Sequence, residues 1–512
     1  MATKPPTRYT APSPLAPRAT RVARLWAFKL MVTWVFMGGL VSCTLGPDYH
    51  RPDVTVPPQW SDAGQKAFNH DLPSKATPDE PGVDAWWTVF DDPTLNHLVD
   101  VARQENLDLK QATVRIAEAR AERDVTAAAL YPTVSASGDA IRARTSPNGI
   151  TKALSGGSSG GAEASAPPST FNLFQVGFDS TWELDLFGKT RRSIEAANAQ
   201  IRSSEAARAA SEVSLAAEIA RTYFSLRGQQ QRRDIAVRDI KTQERLHALV
   251  SSRNHSGLAP DSDVAAQQVQ VSASRANLPQ LDQGIAQALN QLSLLLALPP
   301  GAVSSMVDSK PLPPTPPTIP IGLQGDLLRR RPDVRQREAD LAAATARIGV
   351  ARAAFFPTVT LGLTGGLQST TSSQLFDWSS RFLFGGGQVS VPIFEGGKLR
   401  AQLKLADLRS QEAALAYREA VLTAFHDVDN ALIAYASDQR RAADVTAQLA
   451  GARRNKDLAE ARYRSGLAAY ITVLDAERQE LQAEQALADA TVTVSTDLVA
   501  LFKALGGGWD SP

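Results

Sequence analysis

A change of period between residues 174 and 199 constrains the fold more than any other stretch of the sequence. From Phe174 to Leu186 every second residue is apolar, with only Ser180 breaking the row, and most residues between are polar. Such alternation gives a strand one apolar and one polar face, and this strand is long for a soluble sheet. After Gly188 the pattern becomes helical and contains no proline for more than sixty residues. The junction predicts a membrane β-barrel wall that runs directly into a very long helix.

The second half of the chain repeats the first. The Arg-x-x-Ser-Gly-Leu-Ala stretch at 253–259 recurs at 462–468, and Gly188-Lys189 recurs as Gly397-Lys398, both displaced by 209 residues. Tyr-Pro-Thr-Val at 131–134 recurs as Phe-Pro-Thr-Val at 356–359, displaced by 225, because the first half carries a Ser/Gly-rich loop between these anchors. Three anchors in one order indicate a tandem duplication. Each unit is expected to contain a helix, two strands, a very long helix, a tight turn and a final helix.

These anchors predict the organisation of the whole chain. The expected segments are a signal peptide at 1–42, a lipid-anchored extended N-terminal segment at 43–93, repeat 1 at 94–298, a Pro-rich linker and equatorial region at 299–331, and repeat 2 at 332–508. Repeat 1 begins with a helix, weakened at Asn106, and its other elements are strands at about 133–144 and 171–187, a long helix at 189–253 and a helix at 261–298. Repeat 2 also begins with a helix, followed by strands at about 358–368 and 381–394, a long helix at 398–464 and a helix at 470–505. The linker carries no helix or strand signal.

The N-terminal segment has the features of a lipoprotein leader. The apolar run from Leu30 to Ser42 follows basic residues and is too short to span a bilayer as a helix. It ends in Leu-Val-Ser-Cys43, which resembles the bacterial lipobox, and Cys43 is the single cysteine of the chain. The resemblance implies N-acyl and S-diacylglycerol groups on Cys43, and Thr44 after it implies sorting to the outer membrane. A buried or free thiol is the alternative.

Charge and motif content exclude several classes of function. Residues 1–42 hold six basic and no acidic residues, so the rest has 48 basic and 53 acidic residues, a net charge of −5. No basic tract interleaved with aromatic residues remains, which argues against nucleic-acid binding. The six histidines lack metal-ligand spacing, and the Gly-x-Ser-x-Gly match at 156–160 lies in a loop rather than between a strand and a helix. We therefore expect no enzyme, no metal and no cofactor besides the covalent lipid.

Two strands per repeat make four per chain, which is too few for a closed barrel. In lipid every backbone N–H and C=O must be paired, so an open four-stranded sheet cannot stand in a bilayer. Known barrels begin near eight strands. Several copies of the chain are therefore needed, and physical reasoning alone permits a dimer or a trimer. The helices must follow the same symmetry and are expected to form a tube continuous with the barrel.

Several motifs resemble the NodT branch of TolC-like outer-membrane factors, over essentially the whole mature chain. They are Cys-Thr-Leu-Gly-Pro-Asp-Tyr-His-Arg-Pro at 43–52, Trp-Trp-Thr-Val-Phe-Asp-Asp-Pro-Thr-Leu at 86–95, Leu-Arg-Arg-Arg-Pro-Asp-Val-Arg at 328–335 and Ala-Arg-Ile-Gly-Val-Ala-Arg-Ala-Ala-Phe-Phe-Pro at 346–357. The resemblance implies a mainly α fold with transmembrane β-structure. In that fold a homotrimer forms a 12-strand β-barrel on a 12-helix periplasmic α-barrel. It also implies a passive exit duct for drugs or other toxic small molecules, working with a periplasmic adaptor (membrane fusion protein) and an inner-membrane RND-type pump.

The same resemblance suggests where functional residues lie. Both Ser-Gly-Leu turns are expected at the periplasmic tip, where the candidates for docking the adaptor are Arg253, Ser256, Gly257, Leu258, Arg462, Ser465, Gly466 and Leu467. A periplasmic gate is expected just past the second turn, with Ile471 as an apolar constriction, Asp475 as an acidic ring and Arg478 as a latch to a neighbouring helix. Asp263 holds a comparable place after the first turn. The alternatives are ordinary helix ends and a surface salt bridge.

Two other functions fit part of the sequence. An outer-membrane duct for type I protein secretion would keep the architecture and change the cargo. A lipid-anchored periplasmic coiled-coil scaffold would explain the helices but not the four amphipathic strands. The strands, the lipobox and the NodT-like motifs together favour small-molecule efflux at the outer membrane.

Overall fold

The computed structural model describes residues 44–53, 59–68, 71–77, 79, 84–144, 146, 170–321 and 329–509. Cys43, the predicted signal peptide and the loop around Ser158 lie outside these ranges. The α-helices within them are α1 (Pro93–Glu105), α2 (Leu107–Ala128), α3 (Lys189–His255), α4 (Asp261–Leu295), α5 (Pro332–Ala353), α6 (Lys398–Arg464) and α7 (Tyr470–Ala504). The strands are β1 (Lys75–Thr77), β2 (Thr133–Arg144), β3 (Thr170–Leu184), β4 (Thr318–Pro320), β5 (Thr358–Ser369) and β6 (Arg381–Ser390).

The two repeats contain helices of equal length. Helices α3 and α6 have 67 residues each, and helices α4 and α7 have 35 each. At 1.5 Å per residue the longer pair extends roughly 100 Å. The carboxylate of Asp185 begins α3, since it accepts the backbone N–H groups of Thr190 at 3.1 Å and Arg191 at 3.0 Å. Such a cap satisfies N–H groups that have no partner within the helix.

The first helix of repeat 1 is broken at the weak point seen in the sequence. Asn106 has extended backbone angles between α1 and α2. Its side-chain oxygen accepts the N–H groups of Asp108 at 2.9 Å and Leu109 at 3.1 Å, so it caps α2. Its amide nitrogen donates to the carbonyl of Leu295 at the end of α4. The break therefore joins the start of one helix to the end of another.

The four long strands form one antiparallel sheet in the order β2-β3-β5-β6. On one face, Asp179 of β3 accepts hydrogen bonds from Ser137 of β2 at 3.2 Å and Thr364 of β5 at 2.8 Å. On the other face, Phe178 of β3 is 64% exposed and Leu383 of β6 is 76% exposed. Around Asp179 one face is therefore polar and hydrogen-bonded across strands, while the other presents large apolar side chains, as the alternation of β3 predicts. At the edge strand β6 the alternation is weaker, since Phe384 lies opposite Thr364 on the face of Asp179.

Some predicted boundaries were wrong, and each has a local reason. Strand β3 ends at Leu184 rather than 187, because Asp185 already caps α3. Strand β6 ends at Ser390 rather than 394, because Pro392 has no backbone N–H to donate to a neighbouring strand. Helix α4 ends at Leu295 rather than 298, because the chain turns at Ala297, whose φ is +57°.

The proline-rich linker also contains structure that the sequence did not indicate. Strand β4 lies within it and pairs in parallel with β1, which brings Ala76 opposite Ile319. A short 3₁₀ helix, Ala302–Ser305, precedes it. Three-residue pairings between proline-containing segments have no hydrophobic period, so no pattern in the sequence signals them.

The chain divides into two compact units, each built from pieces of both repeats. One unit includes 44–46, 349–399 and the described residues of 129–192, and it holds the sheet. The other includes most of the helical residues and the main hydrophobic core. In that core Trp86 stacks on Phe502 with centroids 5.3 Å apart, and Phe90 packs on Phe224 at 4.8 Å. The Trp-Trp motif near the start of the chain is therefore a core element that joins α7 to the N-terminal segment.

Candidate functional site

The two Ser-Gly-Leu turns that link α3 to α4 and α6 to α7 have the same backbone geometry. Gly257 has a φ of +69° and Gly466 a φ of +73°. The N–H of Leu258 donates to the carbonyl of Arg253 at 2.8 Å, and the N–H of Leu467 donates to that of Arg462 at 2.9 Å. These bonds are those of a Schellman motif, which ends a helix with glycine in the left-handed region. Glycine is required at both turns because this region disfavours other residues.

The leucines of these turns close the backbone but leave their side chains in solvent. Leu258 is 69% exposed and Leu467 is 80% exposed. Ser256 and Ser465 are also exposed, and their hydroxyls donate to carbonyls one turn back. Each tip therefore presents an apolar side chain on a rigid turn.

The tip arginines differ between the two turns. The guanidinium of Arg253 lies over the ring of Tyr463, 4.7 Å from its centroid, and is half-buried. Arg462 occupies the equivalent place in the second turn and is exposed. A cation over an aromatic face is attracted by the ring quadrupole. Arg253 therefore ties the first turn to the second, while Arg462 extends into solvent.

A small apolar cluster below the turns joins the two helical hairpins. It consists of Val250 of α3 with Tyr470, Val473 and Leu474 of α7. The hydroxyl of Tyr470 donates to the buried side chain of Gln267 at 3.1 Å. Burial, with smaller contributions from neighbours that include Asp263, raises the pKa of Tyr470 and keeps it a donor.

The structure brings together only two of the four predicted gate residues. Asp475 and Arg478 form an ion pair of 3.7 Å within α7, with both side chains about half exposed. Ile471 is 59% exposed on the same helix. Asp263 lies on the other hairpin, in the first turn of α4, and its charge contributes to the raised pKa of Tyr470. The acidic ring, the apolar constriction and the latch of Arg478 to a neighbouring helix stay predictions.

The first residues after Cys43 have a fixed seat in the unit that holds the sheet. Arg192 of α3 donates to the carbonyls of Leu45 at 3.0 Å and Gly46 at 3.3 Å. A Cβ on Gly349 of α5 would lie 2.6 Å from the carbonyl oxygen of Leu45, and one on Gly188 would lie 2.7 Å from the side chain of Thr44. Two glycines therefore leave room for the segment that follows the predicted lipidation site. Cys43 itself lies outside the described residues.

Two further properties belong to the part of the chain that the structure describes. None of its helices is both long enough and apolar enough to cross a lipid bilayer. None of its groups of three or more His, Cys, Asp or Glu residues is placed to hold a metal ion.

Comparison with known proteins identifies the family. The sequence model of the family described as "Outer membrane efflux protein" matches residues 98–298 and 323–507. The chain belongs to this outer membrane efflux protein family. The two matched stretches correspond to the two halves of the duplication, so each repeat carries the family pattern.

Similar proteins cover nearly the full length of this efflux protein. The probable efflux pump outer membrane protein TtgC of Pseudomonas putida is 32% identical over 487 residues, which cover 94% of this chain and 95% of the relative. The probable outer membrane lipoprotein SilC of Salmonella typhimurium is also 32% identical, covering 94% and 98%. Nodulation protein T of Rhizobium leguminosarum is 31% identical, covering 92% of each chain. The predicted resemblance to the NodT branch is confirmed.

A solved structure shows the same fold. The outer-membrane channel OprN matches with a TM-score of 0.80 and 34% identity, and the match covers 91% of this chain and 100% of that chain. The predicted TolC-like fold is therefore confirmed. This efflux protein is an outer-membrane channel component of an efflux pump, and its family consists of channel proteins.

Sequence reasoning missed the side chains that fix helix α7. Tyr470 and Gln267 form a hydrogen bond between the hairpins, and Glu477 is buried further along α7. A signal was present for α7, because residues 470, 473, 474, 477 and 481 follow helical spacing on one face. A glutamate on that face was a sign of a buried carboxyl. Gln267 gave no comparable signal.

Proposed function

We propose that three copies of this efflux protein form one closed duct, with twelve strands and twelve long helical segments in the assembly. The four-stranded sheet supports this most directly. Strands β2 and β6 are its edges, and each pairs on one side only within the described chain. An unpaired edge cannot stand in lipid, and four strands cannot close on themselves. Neighbouring copies would complete the hydrogen bonding of both edges.

The duct would work with a periplasmic adaptor and an inner-membrane pump of the RND type. The exposed Leu258 and Leu467 on rigid turns, with the solvated Arg462, offer a surface for an adaptor's helical hairpin. An amphipathic hairpin can dock apolar anchors while its charges pair at the rim. TtgC is described as a component of an efflux pump, which supports small molecules rather than proteins as cargo.

Closure of the duct would involve Ile471, Asp475, Arg478 and Asp263. Asp475 and Ile471 are exposed on α7 within one chain, so both are free to face the duct axis in an assembly. Threefold symmetry would bring three copies of Asp475 together, and like charges at close range favour a bound cation or an arginine partner.

A lipid on Cys43 would hold the duct in the outer membrane. The seat of Thr44 and Leu45 supports this, because it fixes the chain at the residues next to Cys43. SilC is named an outer membrane lipoprotein, which supports the same chemistry. Each buried methylene adds about 0.8 kcal/mol to membrane attachment.

Assembly and conduction are tested on the full-length protein purified in mild detergent. Light scattering coupled to size exclusion should give the mass of three chains, and planar bilayers should show discrete channels. A monodisperse monomer that retains its full β-sheet signal would contradict the duct.

Export is tested in cells that lack their own outer-membrane duct. Expression with a matching adaptor and pump should restore resistance to small toxic compounds. Restored secretion of a protein without restored resistance would favour the secretion alternative.

The anchor is tested by mass spectrometry of the N-terminal peptide. We expect a tri-acylated Cys43, and the mass of the unmodified residue would overturn the assignment.

Gly349→Ala should weaken the seat of Leu45, because the new methyl group would meet the backbone of Leu45. Gly451→Ala is the matched control, since it lies in helix α6 with no atom within 4 Å of an added Cβ.

A further inference from the structure

Glu477 of α7 is a buried carboxyl that the proposed gate does not use. Its side chain is 7% exposed, and its Oε2 atom has no hydrogen-bond partner among the described residues. The equivalent position in the first hairpin, 209 residues earlier, is Gln268, which is exposed. A buried carboxylate without partners is costly, so a group at this place must be neutralised or must move.

Glu477 lines a polar cavity of about 180 Å³ between α3, α6 and α7. The charged groups around it are Arg238 and Asp239 of α3, Lys456 and Glu460 of α6, and Glu480 and Glu484 of α7. Arg453 of α6 lies next to Glu480 and Glu484. All of these residues belong to the same compact unit.

The cations around the cavity are already engaged by other carboxylates. Lys456 pairs with Glu480 at 2.5 Å, and Arg453 pairs with Glu484 at 2.7 Å. Arg238 lies 3.7 Å from Glu484. Asp239 lies beside the cavity and accepts hydrogen bonds from Ser274 and Gln243. Glu477 therefore has anionic neighbours and no cation of its own.

The electrostatic consequence is a carboxyl that holds its proton near neutral pH. Burial, together with the anions Glu460, Asp239 and Glu480 and against Lys456, raises the pKa of Glu477 to about 7. The group lies on helix α7 and not in the sheet. In any arrangement that hydrated the carboxyl, its pKa would return toward the ordinary value of 4.5.

We propose that Glu477 is a proton-binding latch that holds α7 against α3 and α6. With the proton bound, the neutral carboxyl fits the cavity, and α7 stays packed. Without it, the buried anion repels Glu460 and Asp239, and α7 loosens toward solvent. The proposal rests on the proposed function only in placing the closure of the duct on α7, so acidification would keep the duct closed.

The sign of the effect follows from proton linkage. The packed arrangement binds the proton more tightly than the loosened one, so packing is fully favoured below the pKa of the loosened state. That advantage is lost as the pH rises toward the pKa of the packed state. With values of 4.5 and about 7, the equilibrium constant for loosening α7 should rise on the order of tenfold between about pH 6 and about pH 8.

Hydrogen exchange of the assembled protein measures this equilibrium. The readout is the amide protection of residues 470–481, compared at each pH between the native chain and Glu477→Gln, so that the intrinsic exchange rate cancels. The native chain should lose on the order of tenfold more protection than the variant over this range. Equal losses in both would overturn the latch. Residues near Asp497 are left out, because burial and Asp438 raise the pKa of that carboxyl too.

Two further variants keep the result interpretable. Glu477→Met removes the titrating group without adding a hydrogen-bonding amide and should also abolish the extra loss. Glu244→Gln removes an exposed carboxylate of α3 that pairs with Arg275 of α4, and this variant should still show the extra loss of protection at high pH. If Glu477→Met keeps the pH dependence, or if Glu244→Gln abolishes it, the latch is overturned.

Channel conductance separates the latch from the gate. A latch that controls the gate predicts that conductance of the native trimer rises with pH and that Glu477→Gln does not respond. If protection changes as expected while conductance is constant with pH, the latch stands and the closure of the duct does not lie on α7. If protection does not change, the latch is overturned whatever the conductance shows.

Discussion

The two helical hairpins share their turns and differ in nearly everything next to them. Both turns place glycine at positive φ and close with the same N–H to carbonyl bond. Two residues after the shared stretch, the first hairpin has the exposed Asp261, whereas the second has the buried Tyr470 at the equivalent position. Further on, the exposed Gln268 corresponds to the buried Glu477. The two halves of the duplication share what the backbone of the turn requires and differ in the side chains next to it.

The two hairpins supply different sides of the contacts that join them. Gln267 of the first hairpin accepts a hydrogen bond from the hydroxyl of Tyr470, and Arg253 lies over the ring of Tyr463 of the second hairpin. Helix α7 carries both the exposed Asp475 and Arg478 and the buried Glu477. The buried carboxyl can take part in packing α7 against its neighbours, while the exposed charges are available to contact other molecules.

The largest difference between the hairpins should appear at Tyr470. Tyr470→Ala removes a buried ring and the bond to Gln267, and should lower the opening free energy of the tip by about 3–5 kcal/mol. Asp261→Ala, at the equivalent position, should cost about 1 kcal/mol or less, since it loses an exposed bond to Asn254. Hydrogen exchange of the amides around both turns measures this. Equal costs would show that Tyr470 does not join the hairpins.

Replacing either turn glycine should destabilise its hairpin by a similar free energy. Gly257→Ala and Gly466→Ala each force a side chain into the left-handed region and should each cost about 1–2 kcal/mol. No atom lies within 4 Å of an added Cβ at either site, so the cost is backbone strain alone. Gly451→Ala, inside helix α6, should instead stabilise by about 0.5–1 kcal/mol. Hydrogen exchange of the amides at the C-terminal ends of α3 and α6 measures both costs. Unequal costs would contradict the idea that the two turns are equivalent.

A smaller difference is expected between the tip arginines. Arg253→Ala loses the contact with the ring of Tyr463 and should cost about 0.5–1 kcal/mol. Arg462→Ala should leave tip stability unchanged, because its side chain is exposed. Their effects on adaptor binding should reverse, since Arg462 is free to pair with a partner. Titration of each variant with the purified adaptor hairpin checks this order.

The smallest effect on stability should come with a clear effect on conduction. Asp475→Ala combined with Arg478→Ala removes an exposed ion pair and should change stability by less than about 1 kcal/mol. Single-channel conductance in planar bilayers should nevertheless increase, because the proposed acidic ring is lost. Glu218→Ala with Arg221→Ala is the matched control, an exposed pair with the same spacing on α3. Unchanged conductance in the Asp475 and Arg478 variant would remove the gate assignment.

The sequence allowed the backbone to be predicted well, because its periods are long and regular. The alternation from Phe174 to Leu186 gave strand β3, and the repeats gave the two 67-residue helices to within two residues. The Ser-Gly-Leu stretches were predicted as tight turns between helices, and the structure shows their glycines at positive φ. Strands β1 and β4 were not, since a three-residue pairing is decided by the surface on which the segment lies.

Side-chain partners were harder to predict than elements. Asp475 and Arg478 could be paired from their spacing, but Gln267 could not be paired with Tyr470, because that hydrogen bond joins two hairpins far apart in sequence. The burial of Glu477 depends on the packing of three helices, and only its position on the apolar face of α7 hinted at it. The seat of Leu45 required knowing that Gly349 and Arg192 meet.

That seat has a consequence for how the channel would sit among its lipids. Because the carbonyls of Leu45 and Gly46 are held by Arg192, only one residue, Thr44, lies between Cys43 and the held backbone. Acyl chains on that cysteine would therefore be attached through a short, fixed segment rather than a flexible linker. They would enter the leaflet at one defined point on the circumference of each subunit.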